Sequence, residues 1–202
     1  MKTIKERISF LPASENPLSA DVYVIKGDEK SYIVDVGSND EALEMIKSIE
    51  SRIFIITHFH DDHMKNLARL SYTDEELFVG KHTSKVLGTY AYQFDGASPR
   101  STGTVVTQPL EIVDGVKLLI VPMPSCHSKG SLVVAVNDEY LFMGDSFYCS
   151  QKGYNASILS EQIRCLKSIS FTKVVLSHDE KVYTRDEIIS ELEAFYQKEI
   201  GN

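Results

Sequence analysis

Three of the six histidines in this 202-residue chain lie within six residues of one another, at His58, His60 and His63. Asp62 stands between the last two. Imidazole nitrogens and carboxylate oxygens are the ligands that bind zinc, and that bind iron or manganese in harder sites. A polar loop without a metal would also contain such residues, but so dense a group directly after an apolar run favours metal binding. The segment 57–63 therefore predicts a metal site.

Three further candidate ligands each come after a predicted strand, namely His127, Asp145 and His178. Taken singly, each is more typical of a structural residue. Because each ends a strand, all of them can meet at one edge of a sheet, where ligands bind in open α/β sheets. Taken together, the candidates predict one site for two metal ions, formed by His58, His60, Asp62, His63, His127, Asp145 and His178.

The elements that would position these residues alternate between strands and helices. Short β-branched and aromatic runs predict a hairpin over residues 21–26 and 31–35, and a fully apolar run predicts a buried strand at 52–56. Helical spacing is seen at 38–50, 64–70, 157–169 and 184–200, the last with a capping box formed by Thr184 and Glu187. Other strands are predicted at 77–79, 104–106, 116–121, 131–136, 140–143 and 173–176. Antiparallel groups of strands flanked by helices indicate a layered α/β or α+β fold.

The composition is that of an ordinary globular protein. Hydrophobic residues make up 43% and charged residues 25%, and a chain of this length fits one domain over residues 1–202. Acidic residues outnumber basic ones, 29 to 21, which gives a formal charge of −8. This excess disfavours a nucleic-acid partner, because such binding rests on clustered Lys and Arg.

The same composition bears on the compartment. No apolar run approaches the roughly 20 residues needed to cross a bilayer, and the first ten residues are charged rather than apolar. The three cysteines, Cys126, Cys149 and Cys165, include no C-x-x-C pair, which is typical of unpaired thiols in a reducing compartment. We therefore expect a cytoplasmic protein without a membrane partner.

The candidate ligands occur in an ordered set: HFHDDH at 58–63, then HSKGS with His127, MGDS with Asp145 and LSHD with His178. This set resembles the metallo-β-lactamase superfamily, and the segment VYVIKGDEKSYIVDVG at 22–37 resembles that family's N-terminal hairpin with its Asp-x-Gly turn. The resemblance covers nearly the whole chain. It implies a four-layer αββα sandwich with the metal ions at one edge.

Carried over by position, the resemblance implies two metal subsites. His58, His60 and His127 would hold the first ion, while Asp62, His63 and His178 would hold the second. The remaining roles fall to Asp145, which would bridge the two ions, and to Asp35, which would lie buried beneath the site. Metal-bound histidines need such a carboxylate to fix their tautomer. The expected cofactor is two Zn²⁺, with Fe or Mn as alternatives.

The activity implied by the resemblance is hydrolysis of a small ester, thioester or lactone. A hydroxide shared by the two metals would attack the carbonyl, and Asp62 would orient it and pass a proton to the leaving group. Position 145 is aspartate, whereas zinc β-lactamases typically carry cysteine or serine there. This departure moves the expectation toward a glyoxalase-II-like or lactonase-like hydrolase, although the helical substrate domain of a full glyoxalase II is not seen.

Two alternatives belong to other classes. One is an iron-dependent oxidoreductase of the same fold, either a persulfide dioxygenase or a flavodiiron-like protein. The other is a binding protein that kept the site without the activity. We expect a small-molecule substrate, with Tyr148, Lys129 and Tyr154 as candidate contacts, and we interpret His82 as a surface or helix-start residue. The substrate, the oligomeric state and the role of the segment 88–103 stay open.

Overall fold

A computed structural model describes residues 1–89, 101–148 and 155–200. Within those residues the chain forms fifteen strands and five α-helices. The strands that precede residue 110 are β1 (Lys2–Lys5), β2 (Ile8–Leu11), β3 (Ser14–Glu15), β4 (Leu18–Ser19), β5 (Val22–Lys26), β6 (Ser31–Val34), β7 (Arg52–Ile56), β8 (Leu77–Val79) and β9 (Thr104–Val105). The later strands are β10 (Leu110–Val113), β11 (Lys117–Met123), β12 (Ser131–Val136), β13 (Tyr140–Phe142), β14 (Lys173–Val175) and β15 (Val182–Thr184). The helices are α1 (Asp40–Lys47), α2 (Asp61–Met64), α3 (Lys81–Leu87), α4 (Ala156–Ser168) and α5 (Arg185–Ile200).

Two sheets carry most of these strands. In the first, the order is β1-β2-β5-β6-β7-β8-β9, and the strands from β6 to β9 run parallel. In the second, the order is β10-β11-β12-β13-β14-β15, with one parallel pair between β13 and β14. Strands β3 and β4 form a separate short hairpin. Because β6, β7, β13 and β14 lie inside their sheets, the loops that follow them can converge at one edge.

Alternation along the strands separates three apolar cores. In β7, Ile55 faces a core shared by both sheets, whereas Phe54 and Ile56 face the core that contains α1. The second sheet does the same, because Val134 lies in the shared core and Val133 packs with α4 and α5. The layers therefore follow the order helix, sheet, sheet, helix, which confirms the predicted αββα sandwich.

The predicted elements largely coincide with the observed ones, with differences at their ends. The helix predicted at 64–70 is wrong as an α-helix: α2 ends at Met64, and Lys65–Arg69 forms a 3-10 helix. The capping box at Thr184 is confirmed, because Glu187 Oε2 accepts from Thr184 N at 2.7 Å and Glu187 N donates back to Thr184 Oγ1 at 3.2 Å. Strands β1, β2, β10 and β15 and helix α3 were not predicted from the sequence. No helix in the described part of the chain combines the length and the apolar character needed to cross a bilayer.

Candidate metal centre

The candidate ligands are carried by loops that follow strands of both sheets. Residues 58–63 follow β7 of the first sheet, and His60 occupies the N-cap position of α2 without a side-chain capping hydrogen bond. The other three candidates come from the second sheet, where His127 follows β11, Asp145 follows β13 and His178 follows β14. The structure brings all seven together at one edge, in two groups whose ligand atoms lie within 4.8 Å of one another inside each group.

The first group consists of three histidines. His58 Nε2 and His127 Nε2 each lie 3.0 Å from His60 Nδ1. The side chain of His58 is buried, while those of His60 and His127 are partly exposed. Three imidazole nitrogens thus face one point that is open on one side.

The second group consists of Asp62, His63, Asp145 and His178. His178 Nε2 lies 3.0 Å from Asp62 Oδ2, and His63 Nε2 lies 3.5 Å from the same oxygen. Asp145 reaches both groups: its Oδ1 is 3.4 Å from His63 Nε2, and its Oδ2 is 3.5 Å from His127 Nε2. One carboxylate therefore joins the two groups, in the position predicted for a bridging ligand.

Two observations show that these residues fit metal ions. His63 Nε2 and Asp145 Oδ1 are buried atoms without a hydrogen-bond partner, and buried polar atoms are otherwise nearly always satisfied. Four ligand atoms placed about 2.0–2.1 Å from a tetrahedral ion lie about 3.3 Å from one another. The separations of 3.0 to 3.8 Å within the second group bracket that value.

Asp35 lies beneath the ligands, as the sequence predicts. It is fully buried, and its Oδ2 accepts a hydrogen bond from His63 Nδ1 at 2.7 Å. Its Oδ1 accepts from Thr57 N at 2.8 Å, and the Thr57 hydroxyl donates to Oδ2 at 2.8 Å. Because Nδ1 of His63 is turned toward Asp35, Nε2 faces the second group.

Thr57 is a supporting residue that the sequence analysis did not identify. Its hydroxyl lies 3.1 Å from His58 Nδ1, so the same side chain contacts Asp35 and a member of the first group. The turn after β13 packs against it, since a Cβ built on Gly144 would stand 2.6 Å from Thr57 Oγ1. The sequence signal was a polar residue between a buried strand and the first histidine.

The turn that carries Asp145 is also held from α4. Gln162 is fully buried, and its Nε2 donates to Ser146 O at 2.6 Å. Gly144 has φ +53°, in the left-handed region that favours glycine. The sequence feature that could have indicated this contact is a glutamine on the apolar face of a helix, because a buried amide needs a hydrogen-bond partner.

Protonation differs between the two groups. Burial lowers the pKa of His58 far below its ordinary value, and burial also lowers the pKa of His60 and of His127. In the second group, burial alone would lower the pKa of His63, but Asp35 and Asp145 raise it to about 10. The hydrogen bond to Asp62 raises the pKa of His178. The first group is therefore neutral imidazole near pH 7, whereas in the second group the neighbouring carboxylates favour the cationic forms of His63 and His178.

The tentative substrate contacts lie in different surroundings. Lys129 is exposed in the loop that carries His127. Tyr148 is partly buried, and its hydroxyl donates to Ser177 O at 3.1 Å. Tyr154 lies outside the described residues. His82 is the second residue of α3, in agreement with its interpretation as a helix-start residue, and its ring lies 4.9 Å from that of Phe59.

A cavity of about 470 Å³ opens beside the second group. Its wall includes Asp61 and Asp62, the hairpin residues Pro17 and Leu18, and the basic residues Lys65 and Arg69. The volume lies within the range of about 300–1,000 Å³ that small-molecule sites occupy.

Comparisons with known proteins identify the fold and the family. A metallo-beta-lactamase from Pontibacter korlensis has a TM-score of 0.66 at 15% identity, over 97% of this chain and 97% of that one. An archaeal metallo-beta-lactamase superfamily protein from Sulfolobus tokodaii has a TM-score of 0.65 at 21% identity, over 96% of this chain and 86% of that one. At such identities these matches establish the fold alone.

A variant of the flavo di-iron protein from Thermotoga maritima has a TM-score of 0.66 at 15% identity, over 87% of this chain and 53% of that one. The chain thus spans about half the length of that protein. No curated protein matches this chain. The sequence profile of the metallo-beta-lactamase superfamily matches residues 16–158, well over half of the sequence. The chain therefore belongs to the metallo-beta-lactamase superfamily.

Proposed function

We propose that this protein is a metal-dependent hydrolase of small esters, thioesters or lactones, with Zn²⁺ as the expected ion in both subsites. The observation that carries the proposal is the pair of ligand groups joined by Asp145, whose two oxygens face His63 and His127. Two divalent ions held there would lower the pKa of a bound water toward neutrality and would polarise the carbonyl oxygen of the substrate. Both effects favour hydrolysis of an ester or thioester.

The side chains of the site have separate tasks in this reaction. The first group contributes only neutral imidazoles and is partly open, so it suits the place where a substrate carbonyl enters. Asp62 belongs to the second group and also borders the cavity. Burial alone would raise its pKa, but the hydrogen bond from His178 lowers it. Asp62 is therefore ionised near pH 7, and its carboxylate can orient the attacking water and pass a proton to the leaving group.

The cavity beside Asp62 is the space that we assign to the rest of the substrate. Its size and its mixed apolar and charged wall suit a small molecule rather than a polymer. Lys129, Tyr148 and Tyr154 stay candidate contacts, although the hydroxyl of Tyr148 is already engaged by Ser177 O.

The second candidate function is iron-dependent redox chemistry, which the fold likeness to a flavo di-iron protein brings into consideration. The ligand groups do not exclude iron, since imidazole and carboxylate bind both metals.

Metal content and activity separate these functions. Protein purified without chelator would be analysed for metal, loaded with zinc, and tested on thioesters, lactones, phosphodiesters and β-lactams. We expect two zinc ions per chain and turnover of a thioester or lactone. One iron per chain with oxygen uptake on a persulfide, and no ester hydrolysis, would overturn the proposal.

Substitution of Asp62 tests the assigned role. Asp62→Ala removes a ligand and the carboxylate that handles the proton, so kcat on any substrate found should fall at least about 100-fold, the lower end of what a positioned acid–base group contributes. Asp138→Asn is the control, because Asp138 is an exposed aspartate that belongs to neither ligand group and does not line the cavity, and it should keep wild-type turnover. Full activity in Asp62→Ala would show that the hydrolytic assignment is wrong.

A further inference from the structure

Asp21 is a buried carboxylate that belongs to neither ligand group. It lies just before β5, is 1% exposed, and uses both oxygens to hold backbone of distant segments. Oδ1 accepts from Ala13 N at 3.0 Å, and Oδ2 accepts from His178 N at 2.7 Å. The second bond spans 157 residues of sequence. The carboxylate of Asp21, next to the first sheet, therefore accepts a hydrogen bond from the backbone of His178, a candidate ligand in a loop of the second sheet.

The backbone of His178 requires such support. Its φ is +65°, in the left-handed region that a residue with a Cβ rarely adopts. Non-glycine residues stay in that region only where their surroundings impose it. Because the direction of the imidazole follows from this φ, whatever fixes the His178 backbone also fixes where Nε2 lies.

The contacts around His178 come from several elements. Tyr23 of β5 donates its hydroxyl to Leu176 O at 3.1 Å, and Tyr148 donates to Ser177 O at 3.1 Å. These bonds hold the two residues before His178, whereas the bond from Asp21 holds His178 itself. The bond at His178 N is also the shortest of the three, at 2.7 Å against 3.1 Å for each of the others.

The residue before Asp21 contacts another member of the second group. Ala20 N donates to Asp62 O at 2.9 Å. Residues 20 and 21 thus hold the backbones of Asp62 and His178, whose side chains meet at 3.0 Å. Within the described residues, neither Ala20 nor Asp21 makes a hydrogen bond to a histidine of the first group.

We propose that Asp21 is a positioning residue that sets the metal affinity of the second group by fixing the backbone of His178. The proposal rests on the metal site of the proposed function, but it does not depend on hydrolysis being the reaction. It predicts an asymmetry: loss of the Asp21 carboxylate weakens the second subsite and leaves the first one intact.

The test is a zinc titration against a chromophoric chelator, with Asp21→Asn as the variant. Asparagine keeps the shape, but its NH₂ group faces one of the two N–H donors and cannot accept from it. We expect the affinity for one of the two zinc ions to fall about 10- to 100-fold, the loss that supporting partners of metal ligands typically cause. The affinity for the other ion should be unchanged.

Val24→Ala is the matched control, because Val24 is a buried residue of β5, the strand that follows Asp21. It should lower the stability of the fold and leave both zinc affinities unchanged. His178→Ala identifies the subsite: when His178 is already removed, adding Asp21→Asn should cause no further loss, since two residues that act through one contact are not additive.

If Asp21→Asn does not fold, a measurement on the wild-type protein tests the hydrogen bond between His178 N and Asp21. The amide of His178 should exchange its hydrogen slowly in NMR experiments, because it is bonded to a buried carboxylate. Exchange at the rate of a free amide would overturn the proposal, as would an unchanged zinc titration in Asp21→Asn or losses that add to those of His178→Ala. Two zinc ions bound by the wild type without any hydrolysis would refute the proposed reaction and leave this inference standing.

Discussion

The candidate ligands differ in the charge with which they meet a metal ion. Burial keeps His58, His60 and His127 neutral near pH 7. His63 has a pKa of about 10 despite its burial, because Asp35 and Asp145 favour its cation, and the hydrogen bond to Asp62 raises the pKa of His178. Since only a neutral imidazole binds a metal, the first group is ready for an ion and the second must first lose protons.

This difference predicts distinct pH dependences for the two ions. Affinity at the first group should stay constant from about pH 6 to pH 9 and fall only in acid, because pKa values lowered from about 6.5 leave no proton to displace. Affinity at the second group should rise with pH over the same range, because the folded protein holds a proton on His63, whose pKa is about 10, until the ion displaces it. Calorimetric titrations in buffers of different ionisation enthalpy measure the protons released. Equal proton release on binding at both groups, or release only on binding at the first group, would contradict these protonation states.

Residue types and their order were enough to predict which side chains meet at the candidate site, whereas the residues that hold them in place were harder to find. Histidine is rare and serves few purposes in such a cluster, so HFHDDH is informative by itself. Asp21 gave no comparable signal, because it reaches His178 across 157 residues. Only the packing of one sheet on the other brings them together.

The loop that carries His127 packs closely against the start of α3. Gly130 has φ +70°, and a Cβ built on it would stand 2.8 Å from the backbone N of His82 at the start of α3. The partner is backbone and cannot swing away. Gly80, which precedes α3, is equally restricted, since its Cβ would meet Gly130 O at 1.8 Å. The loop and the helix are therefore packed at a distance that only glycine permits.

Gly130→Ala should destabilise the protein more than the matched change Gly115→Ala. Both positions have nearly the same φ, +70° and +63°, so each pays about 1–2 kcal/mol for left-handed backbone. At Gly115 the near atoms belong to the exposed side chain of Asp28, which can move. We expect Gly130→Ala to cost about 1–3 kcal/mol more, the usual cost of overpacking. Urea unfolding measures the difference, and equal losses would show that the loop yields without cost.

The elements that the sequence predicted have a clear apolar pattern or a clear start signal. Strand β7 is a continuous apolar run, α4 shows helical spacing, and α5 begins at the capping box of Thr184 and Glu187. Strand β1 has two lysines among its four residues and is mostly exposed, and α3 has only seven residues, so neither shows a recognisable apolar period. The 3-10 helix after α2 reproduces a helical pattern of apolar residues, which explains why it was predicted as α-helix.

At the scale of the whole molecule, the ligand groups join the two sheets. The first sheet carries residues 58–63, and the second carries His127, Asp145 and His178. Both groups contain residues from both sheets. An ion bound there would link segments that are far apart in sequence and that meet only in the folded chain, and such an ion would stabilise the folded state more than the unfolded one.

Removal of metal should accordingly lower the melting temperature. One ion at 1,000 times its dissociation constant stabilises the fold by about 4 kcal/mol, and each kcal/mol shifts the melting temperature of a chain of this size by about 2–4 °C. Excess chelator should therefore lower it by at least about 8–16 °C, and zinc should restore it. His58→Ala removes one ligand of the first group only, so it should keep the part of the shift that belongs to the second ion. A full shift in the double variant His58→Ala, His178→Ala would mean that zinc stabilises the protein from outside the two groups.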